Sequence, residues 1–453
     1  MMTLAEAAEA VAGRVSGASA AFGGVSSDTR TLARGDLFVA LRGERFDGHD
    51  FLEAAAAGGA AGAMVDRRYS GPFPLPVVVV EDSKRALGDL ARRWRARFKL
   101  ALIAVTGSNG KTTVKEMIAA ILRRAAGPQA VLATAGNLNN DIGVPLTVLK
   151  LREDHRCGVV ELGMNHKGEI AYLAGIAQPT VALVNNAQRE HLEFMRSVEE
   201  VAEENSTVYD ALGSDGVAVV NADDPHAAYF RRRAGGRRVM DFGTAAGAVS
   251  GRYALGHLSS DIELRTPAGE ARATLAIPGV HNVRNALAAA ACAASIDIPP
   301  ARIAEGLSAF RPYTGRLQVK QAASGATVID DSYNANPDSV RAAIDVLASC
   351  PAPTVLVLGD MGEVGEHGAE FHREIGAYAL SRQISSLFAI GEATKSSVEA
   401  FGAAGHHAGS IDDLLRSVRQ SATAGATVLV KGSRFMRMER VVAALTGETG
   451  GAH

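Results

Sequence analysis

The stretch Ala-Leu-Ile-Ala-Val-Thr-Gly-Ser-Asn-Gly-Lys-Thr-Thr-Val-Lys-Glu-Met, residues 101–117, decides how the rest of the chain is read. Its first five residues form an apolar run too short for a helix, which predicts a buried strand. Gly107 and Gly110 break the run. From Lys111 onward, Val114, Met117, Ile118, Ile121 and Leu122 recur at helical spacing and give a helix one apolar face. Strand, glycine turn and helix N-terminus together make an anion site, because N–H groups without helical partners face the ligand and the helix dipole favours negative charge. In that geometry Gly107, Ser108, Asn109, Gly110 and Thr113 would wrap the phosphates of a bound ligand. Lys111 would reach the terminal phosphates and the Thr112 hydroxyl would bind Mg²⁺. The usual pattern has a further glycine at position 105, where this chain has Val105, so the turn is a shortened variant. A plain glycine turn is the competing reading, disfavoured because Gly-Lys-Thr falls where strand meets helix.

The chain has 453 residues, 47% hydrophobic and 21% charged, enough for sizeable cores and about three domains. A net charge of −2 gives no reason to expect nucleic acid or an anionic membrane as partner. Cys157, Cys292 and Cys350 lie far apart without pairing or metal spacing, which fits free thiols in a reducing compartment. The first residues carry acids and no basic leader, and no apolar run is long enough to span a membrane. The expectation is a soluble cytoplasmic protein.

Residues 1–98 predict a small α/β module, with strands at 36–41 and 76–80, a helix at 51–59, and Trp94 as packing in a basic helical stretch. Two polar clusters, 26–30 and 43–49, join glycine or hydroxyl groups to an arginine. They suit a diphosphate or a uracil edge, or they are two hydrophilic turns. Residues 99–314 form the central unit. Here a strand at 157–163 carries Glu161 at its end, and another at 181–184 runs through Asn185 and Asn186 toward His191. In an open parallel sheet ligands bind beyond the carboxyl ends of the strands. Lys111, Thr112, Glu161 and His191 would then share one edge, with Thr112, Glu161 and His191 as metal ligands and the amide-rich 136–141 beside them.

A capping box at Ser197 to Glu200 opens a helix that carries Asn205 on its apolar stripe. Asn205 is either a satisfied core amide or part of the site. The segment 241–275 predicts antiparallel strands. His281, Asn282 and Asn285 precede or open an Ala-rich helix, where they either contact a nucleobase or cap the helix. From 315 to 453, a strand end opening the 328–337 segment and strands at 354–359, 387–390 and 427–430 alternate with helical stretches and predict a second parallel sheet of dinucleotide-fold type, without the glycine fingerprint for NAD.

Taken together, Ser27-Asp28-Thr29-Arg30, the 106–113 turn, Asn137-Leu-Asn-Asn140, Glu161-Leu-Gly-Met-Asn165, His191, His281-Asn282, Gly315-Arg316, Asp330-Asp-Ser-Tyr-Asn-Ala-Asn-Pro337, Gly359-Asp-Met-Gly-Glu363 and Lys431-Gly-Ser-Arg434 resemble the Mur ligase family. The 330–337 segment is similar to the branch that adds D-alanyl-D-alanine to UDP-N-acetylmuramoyl-tripeptide, and the Asp-Asn-Pro-Arg motif of the branch adding the third amino acid is absent. The resemblance implies a UDP-binding domain, a central ATPase domain and a closing C-terminal domain, acting as a monomer on small molecules. The tripeptide carboxylate would be phosphorylated by ATP and the acyl phosphate attacked by the dipeptide amine, with Lys111, Glu161 and His191 as catalytic residues. The resemblance further implies that Asn282, Arg316 and Asp331 contact the nucleotide. Ser27, Asp28, Thr29, Arg30, Asp47, Asn137, Asn139 and Asn140 would meet the UDP-linked substrate. Tyr333, Asn334, Asn336, Lys431 and Arg434 would serve the acceptor or domain closure. One position departs: many relatives carry a carbamylated lysine fourteen residues after the histidine, and here that position is Asn205. Activity without bicarbonate is expected, with Glu204 or a bound anion supplying the charge. A related amide ligase such as a folylpolyglutamate synthase, or an ATP-hydrolysing switch, are the alternatives.

Overall fold

The computed structural model describes residues 1–44 and 46–448; Arg45, the arginine of the second N-terminal polar cluster, and 449–453 lie outside the described residues. The strand opening the key stretch runs Ala101–Thr106 and the helix after it Lys111–Ala126. Because side chains alternate across a strand, Ile103 and Val105 face one core while Leu102 and Ala104 face another. Val105 therefore belongs to the strand itself, which is why no glycine is needed there.

This strand is interior to a nine-stranded sheet. Cys157–Glu161 pairs parallel on one side, with Glu161 opposite Val105. Val181–Val184 pairs parallel on the other, with Val184 opposite Thr106. The sheet continues through Val217–Asn221 and Arg238–Gly243, both parallel, and ends in an antiparallel meander of Val249–Leu255, Ser260–Thr266 and Gly269–Leu275. The antiparallel expectation for 241–275 thus holds for the meander, while 238–243 pairs parallel with both neighbours. One face is covered by Lys111–Ala126, Val280–Ala294 and Pro300–Ala309. Small residues along Val280–Ala294 allow close approach, and Gly306 lies so near Ile121 that a Cβ there would fall 2.4 Å from its Cα.

The N-terminal sheet has five strands, with Gly62–Asp66 in the middle. The expected strands shorten to Leu37–Val39 and Val77–Val80, and the expected helix becomes a 3-10 turn, Gly48–Phe51, leading into Leu52–Ala57. The helix Ser83–Arg95 leaves this module and packs on the central domain. Leu87, Leu90 and Trp94 share a core with Val144, Val148 and Leu173, each fully buried side chain contributing about 1.5–3 kcal/mol. Trp94 Nε1 donates to Leu151 O at 3.0 Å, and Arg95 Nε to Ala177 O at 3.0 Å.

The third sheet has six strands in the spatial order 318–321, 327–331, 427–431, 354–359, 386–390 and 405–408, parallel except for the first. Asn336 caps the helix Pro337–Ala348 with a reciprocal Asn336–Ser339 box. That helix joins the core of the central domain, so the second and third sheets meet above the carboxyl ends of the central strands.

Candidate active site

The turn after Ala101–Thr106 takes its shape from two glycines. Gly107 has φ +125° and Gly110 φ +83°. A Cβ at Gly107 would lie 2.9 Å from Asn185 N, and one at Gly110 2.4 Å from Asn285 Oδ1. Residues 185–190 clasp this turn from the neighbouring strand end. Asn186 O accepts from Ser108 N–H at 3.0 Å and Asn186 Oδ1 from Asn109 N–H at 2.8 Å. Gln188 Oε1 accepts from Asn109 Nδ2 at 2.7 Å, while Asn185 Nδ2 donates to Asn109 O at 2.7 Å. The backbone is therefore fixed before any ligand arrives.

Lys111 curls over the turn. Its Nζ donates to Gly107 O (2.6 Å), Ser108 O (3.1 Å) and Glu190 Oε1 (2.8 Å). Burial works against charge on Glu190, but Lys111 and His191 beside it hold its carboxyl below the ordinary value. His191, at φ +53°, places Nδ1 2.6 Å from Glu363 Oε2 and Nε2 3.5 Å from Glu190 Oε1. Burial alone would lower the imidazole pKa, yet these carboxylates raise it to about 9. Thr112 and Glu161 meet as expected: Thr112 Oγ1 donates to Glu161 Oε1 at 3.3 Å, and Asn139 Nδ2 donates to the same oxygen at 2.8 Å. Glu161 is buried, and its Oε2 has no hydrogen-bond partner among the described residues. No group of three His, Cys, Asp or Glu side chains among the described residues could hold a metal ion, and His191 is engaged by Glu190 and Glu363.

A cavity of about 800 Å³ opens over this edge. Ser108–Thr113, Asn137, Asn139, Asn140, Glu161 and His191 line it from the central domain, and Arg316, Tyr333, Asn334, Asn336, Glu363 and Arg434 from the C-terminal one. Asn336 Nδ2 donates to Asn109 Oδ1 at 2.9 Å across the domain boundary. The Tyr333 ring lies under Arg316, 4.2 Å from its guanidinium, with that of Arg434 at 5.5 Å. An adjoining cavity of about 380 Å³ is lined by Asn282, Asn285, Arg316, Asp331 and Lys431. There Lys431 Nζ donates to Asp331 Oδ2 at 2.5 Å and to Asn334 O at 2.9 Å, and burial pushes its pKa below the ordinary value. Asn282 is tied to Pro278 O, His281 and Asn285, so it serves the helix start as well as facing the cavity.

Other expected residues fall elsewhere. Ser27, Asp28, Thr29 and Arg30 form a surface turn outside both cavities, in which Arg30 forks onto Asp28 at 2.6–3.1 Å and holds its carboxyl at about 2. Asp47 caps the Gly48–Phe51 turn and pairs with buried His49 and with Arg42. Asn205 resolves as a core amide, its Oδ1 accepting from Thr106 Oγ1 at 2.6 Å and its Nδ2 donating to Val201 O at 3.0 Å. Glu204 is not among the residues lining the cavity; its two oxygens accept the N–H groups of Gly168 and Ile170, each at 2.9 Å, at the start of the helix Glu169–Ala177. Only half of the capping box forms at Ser197, because Glu200 turns to Arg196 N–H instead. Asn186, Gln188 and Glu190 were not expected in the site, and their contacts to the turn span more than seventy residues, beyond any local pattern; Glu363, which meets His191, belongs to the 359–363 motif, which by itself assigns it no role.

Comparison with known proteins agrees with this layout. The Mur ligase family, catalytic domain, matches residues 22–95; the Mur ligase middle domain matches 105–293; and the Mur ligase, glutamate ligase domain, matches 315–434. The UDP-N-acetylmuramoyl-tripeptide–D-alanyl-D-alanine ligase of Escherichia coli is 40% identical over 448 residues, covering 98% of each chain. A crystal structure of MurF from Acinetobacter baumannii superposes with TM-score 0.91 at 34% identity, covering 98% of this chain and 99% of that one. MurF ligase from Thermotoga maritima in complex with ADP does so with TM-score 0.82 at 26% identity, covering 94% and 97%. With identity of this level along almost its whole length, the chain belongs to the Mur ligase family.

Proposed function

We propose that this chain uses ATP to join D-alanyl-D-alanine to UDP-N-acetylmuramoyl-tripeptide, a step of peptidoglycan synthesis. The observation that carries the reading is the single edge at which Lys111, Thr112 and Glu161 face Arg316, Tyr333, Asn336 and Arg434 across one cavity. Residues 1–98 would hold the UDP end, 99–314 the ATP and 315–453 the acceptor, in a cytoplasmic monomer. Among the described residues no helix is long and apolar enough to cross a membrane.

Two anions must be brought together, so charge neutralisation and alignment are the whole task. The turn amides and Lys111 would draw charge from the ATP phosphates. The tripeptide carboxylate oxygen would then attack the γ-phosphorus as its bond to the β-bridging oxygen breaks, giving an acyl phosphate and ADP. The dipeptide nitrogen would attack the acyl carbon and lose a proton, and phosphate would leave as the amide forms. Glu161 Oε2 and the Thr112 hydroxyl are hard-oxygen donors that fit Mg²⁺ and would hold it. Bound there, Mg²⁺ would supply further neutralisation of phosphate charge. Asn205 cannot be carbamylated, and the activity is expected to need no bicarbonate.

The test is ADP release with UDP-N-acetylmuramoyl-tripeptide in the presence and absence of D-alanyl-D-alanine. Sustained release only with both substrates is expected. Release indifferent to the dipeptide would replace the ligase reading with a simple ATPase.

A further inference from the structure

Residues 185–191 have two sides. Asn185, Asn186, Gln188 and Glu190 hold the nucleotide turn, and Arg189, between them, reaches the other way into the C-terminal domain. We propose that Arg189 is a positioning residue that couples the nucleotide turn to the domain delivering the acceptor amine; this rests on the ligase reading above.

The geometry is that of a built junction. Arg189 Nε and Nη2 straddle Asp338 at 3.1 and 2.6 Å, and the Arg189 backbone N–H donates to the same carboxylate at 2.9 Å. Its Nη1 donates to Glu374 Oε2 at 2.7 Å, and the guanidinium lies 5.2 Å from the Phe371 ring centre. Arg341 holds Glu374 from the far side at 2.9 Å. Two carboxylates from two helices of one domain thus converge on one planar fork from the other, a geometry a lysine cannot reproduce. The junction is three-quarters buried on both the Arg189 and Asp338 sides, which shields it from salt.

Its position in the chain supplies the coupling. Asp338 lies in the first turn of Pro337–Ala348, two residues after Asn336, the cap that donates to Asn109 in the nucleotide turn. Arg189 lies one residue after Gln188, which accepts from that same Asn109. Turn, clasp and helix cap therefore close a ring in which Arg189 to Asp338 is the ionic link, beside the separate contact of His191 with Glu363. Breaking it slackens the hold on the acceptor domain while the turn keeps its own clasp of amides, so the acceptor should suffer more than ATP.

The experiment uses the full chain with Arg189→Lys, Arg189→Met, Asp338→Asn and the Arg189→Met/Asp338→Asn double variant. Steady-state KM is measured for ATP and for D-alanyl-D-alanine, with thermal midpoints in parallel. Interdomain distance is read by fluorescence transfer between labels at Arg265→Cys and Glu399→Cys, both exposed, the natural cysteines being buried. We expect Arg189→Lys and Arg189→Met to lower kcat/KM for the dipeptide about tenfold, with KM for ATP moving far less, and to broaden the distance distribution. The double variant should be no worse than Arg189→Met alone, because both changes break one link. Equal shifts in both KM values tracking a fall in thermal midpoint would reduce Arg189 to a merely structural residue and overturn the proposal. So would additive effects of the two single changes, or kinetics and distances that stay as in the parent.

Discussion

Two clusters of polar residues, one around Lys111 and one around Arg30, are made of the same materials and behave differently. In the first, a lysine, two acids and several amides are drawn from segments more than two hundred residues apart and buried between two sheets. In the second, an aspartate and an arginine two residues apart pair with each other at the surface. Long-range burial preorganises the first, whereas local pairing leaves the second in exchange with water, where such pairs contribute little to stability. The difference teaches that a motif's residues can all be present while only some are already fixed for work.

The largest test of this contrast is Lys111→Ala. Turnover should fall by on the order of 10³-fold, as measured by ADP release. The variant also leaves the Glu190 carboxylate to His191 alone, at a cost of about 1–3 kcal/mol in urea unfolding. Adding Glu190→Gln should recover stability but not turnover. Retained turnover would remove the lysine from the mechanism.

Next in size is Asn205→Ala, which leaves the buried Thr106 hydroxyl without its partner and should cost about 1–3 kcal/mol by the same unfolding measurement. Added bicarbonate should change the rate of neither this variant nor the parent. A strong carbon dioxide requirement would refute that expectation.

A pH test follows. His372 is buried, its Nε2 accepts from Met361 N–H, and burial, its largest influence, leaves its pKa below the ordinary value. Below about pH 6.5 the unfolded chain takes up a proton that the folded one resists, so stability is full above that value and lost as pH falls. Thermal midpoints between about pH 7 and pH 5 should decline, and less so in His372→Asn. The smallest structural effect belongs to Asp28→Ala: an unchanged midpoint, with a higher KM for the UDP-linked substrate if Arg30 needs its partner to meet a diphosphate.

What could be read before folding follows the same division. The 101–117 stretch was legible because strand, turn and helix are local patterns, and Val105 as a strand residue fits them. Glu161 was legible because it ends an apolar run. Glu190 was not: in Gln188-Arg189-Glu190 nothing distinguishes a buried acid from a solvated one, and its partner Lys111 lies 79 residues away. Asn205 was placed on the right face, but only the structure shows Thr106 opposite it. The strand Gly62–Asp66 escaped notice because glycine and alanine blur the apolar signal, although all five residues are buried in mid-sheet.

The helix Ser83–Arg95 also determines where the gene can be trimmed. Removing residues 1–98 to isolate the nucleotide-handling unit would uncover Val144, Val148 and Leu173 and leave the carbonyls of Leu151 and Ala177 facing solvent. Such a fragment should be prone to clumping, whereas one begun just ahead of residue 83 would keep its own lid.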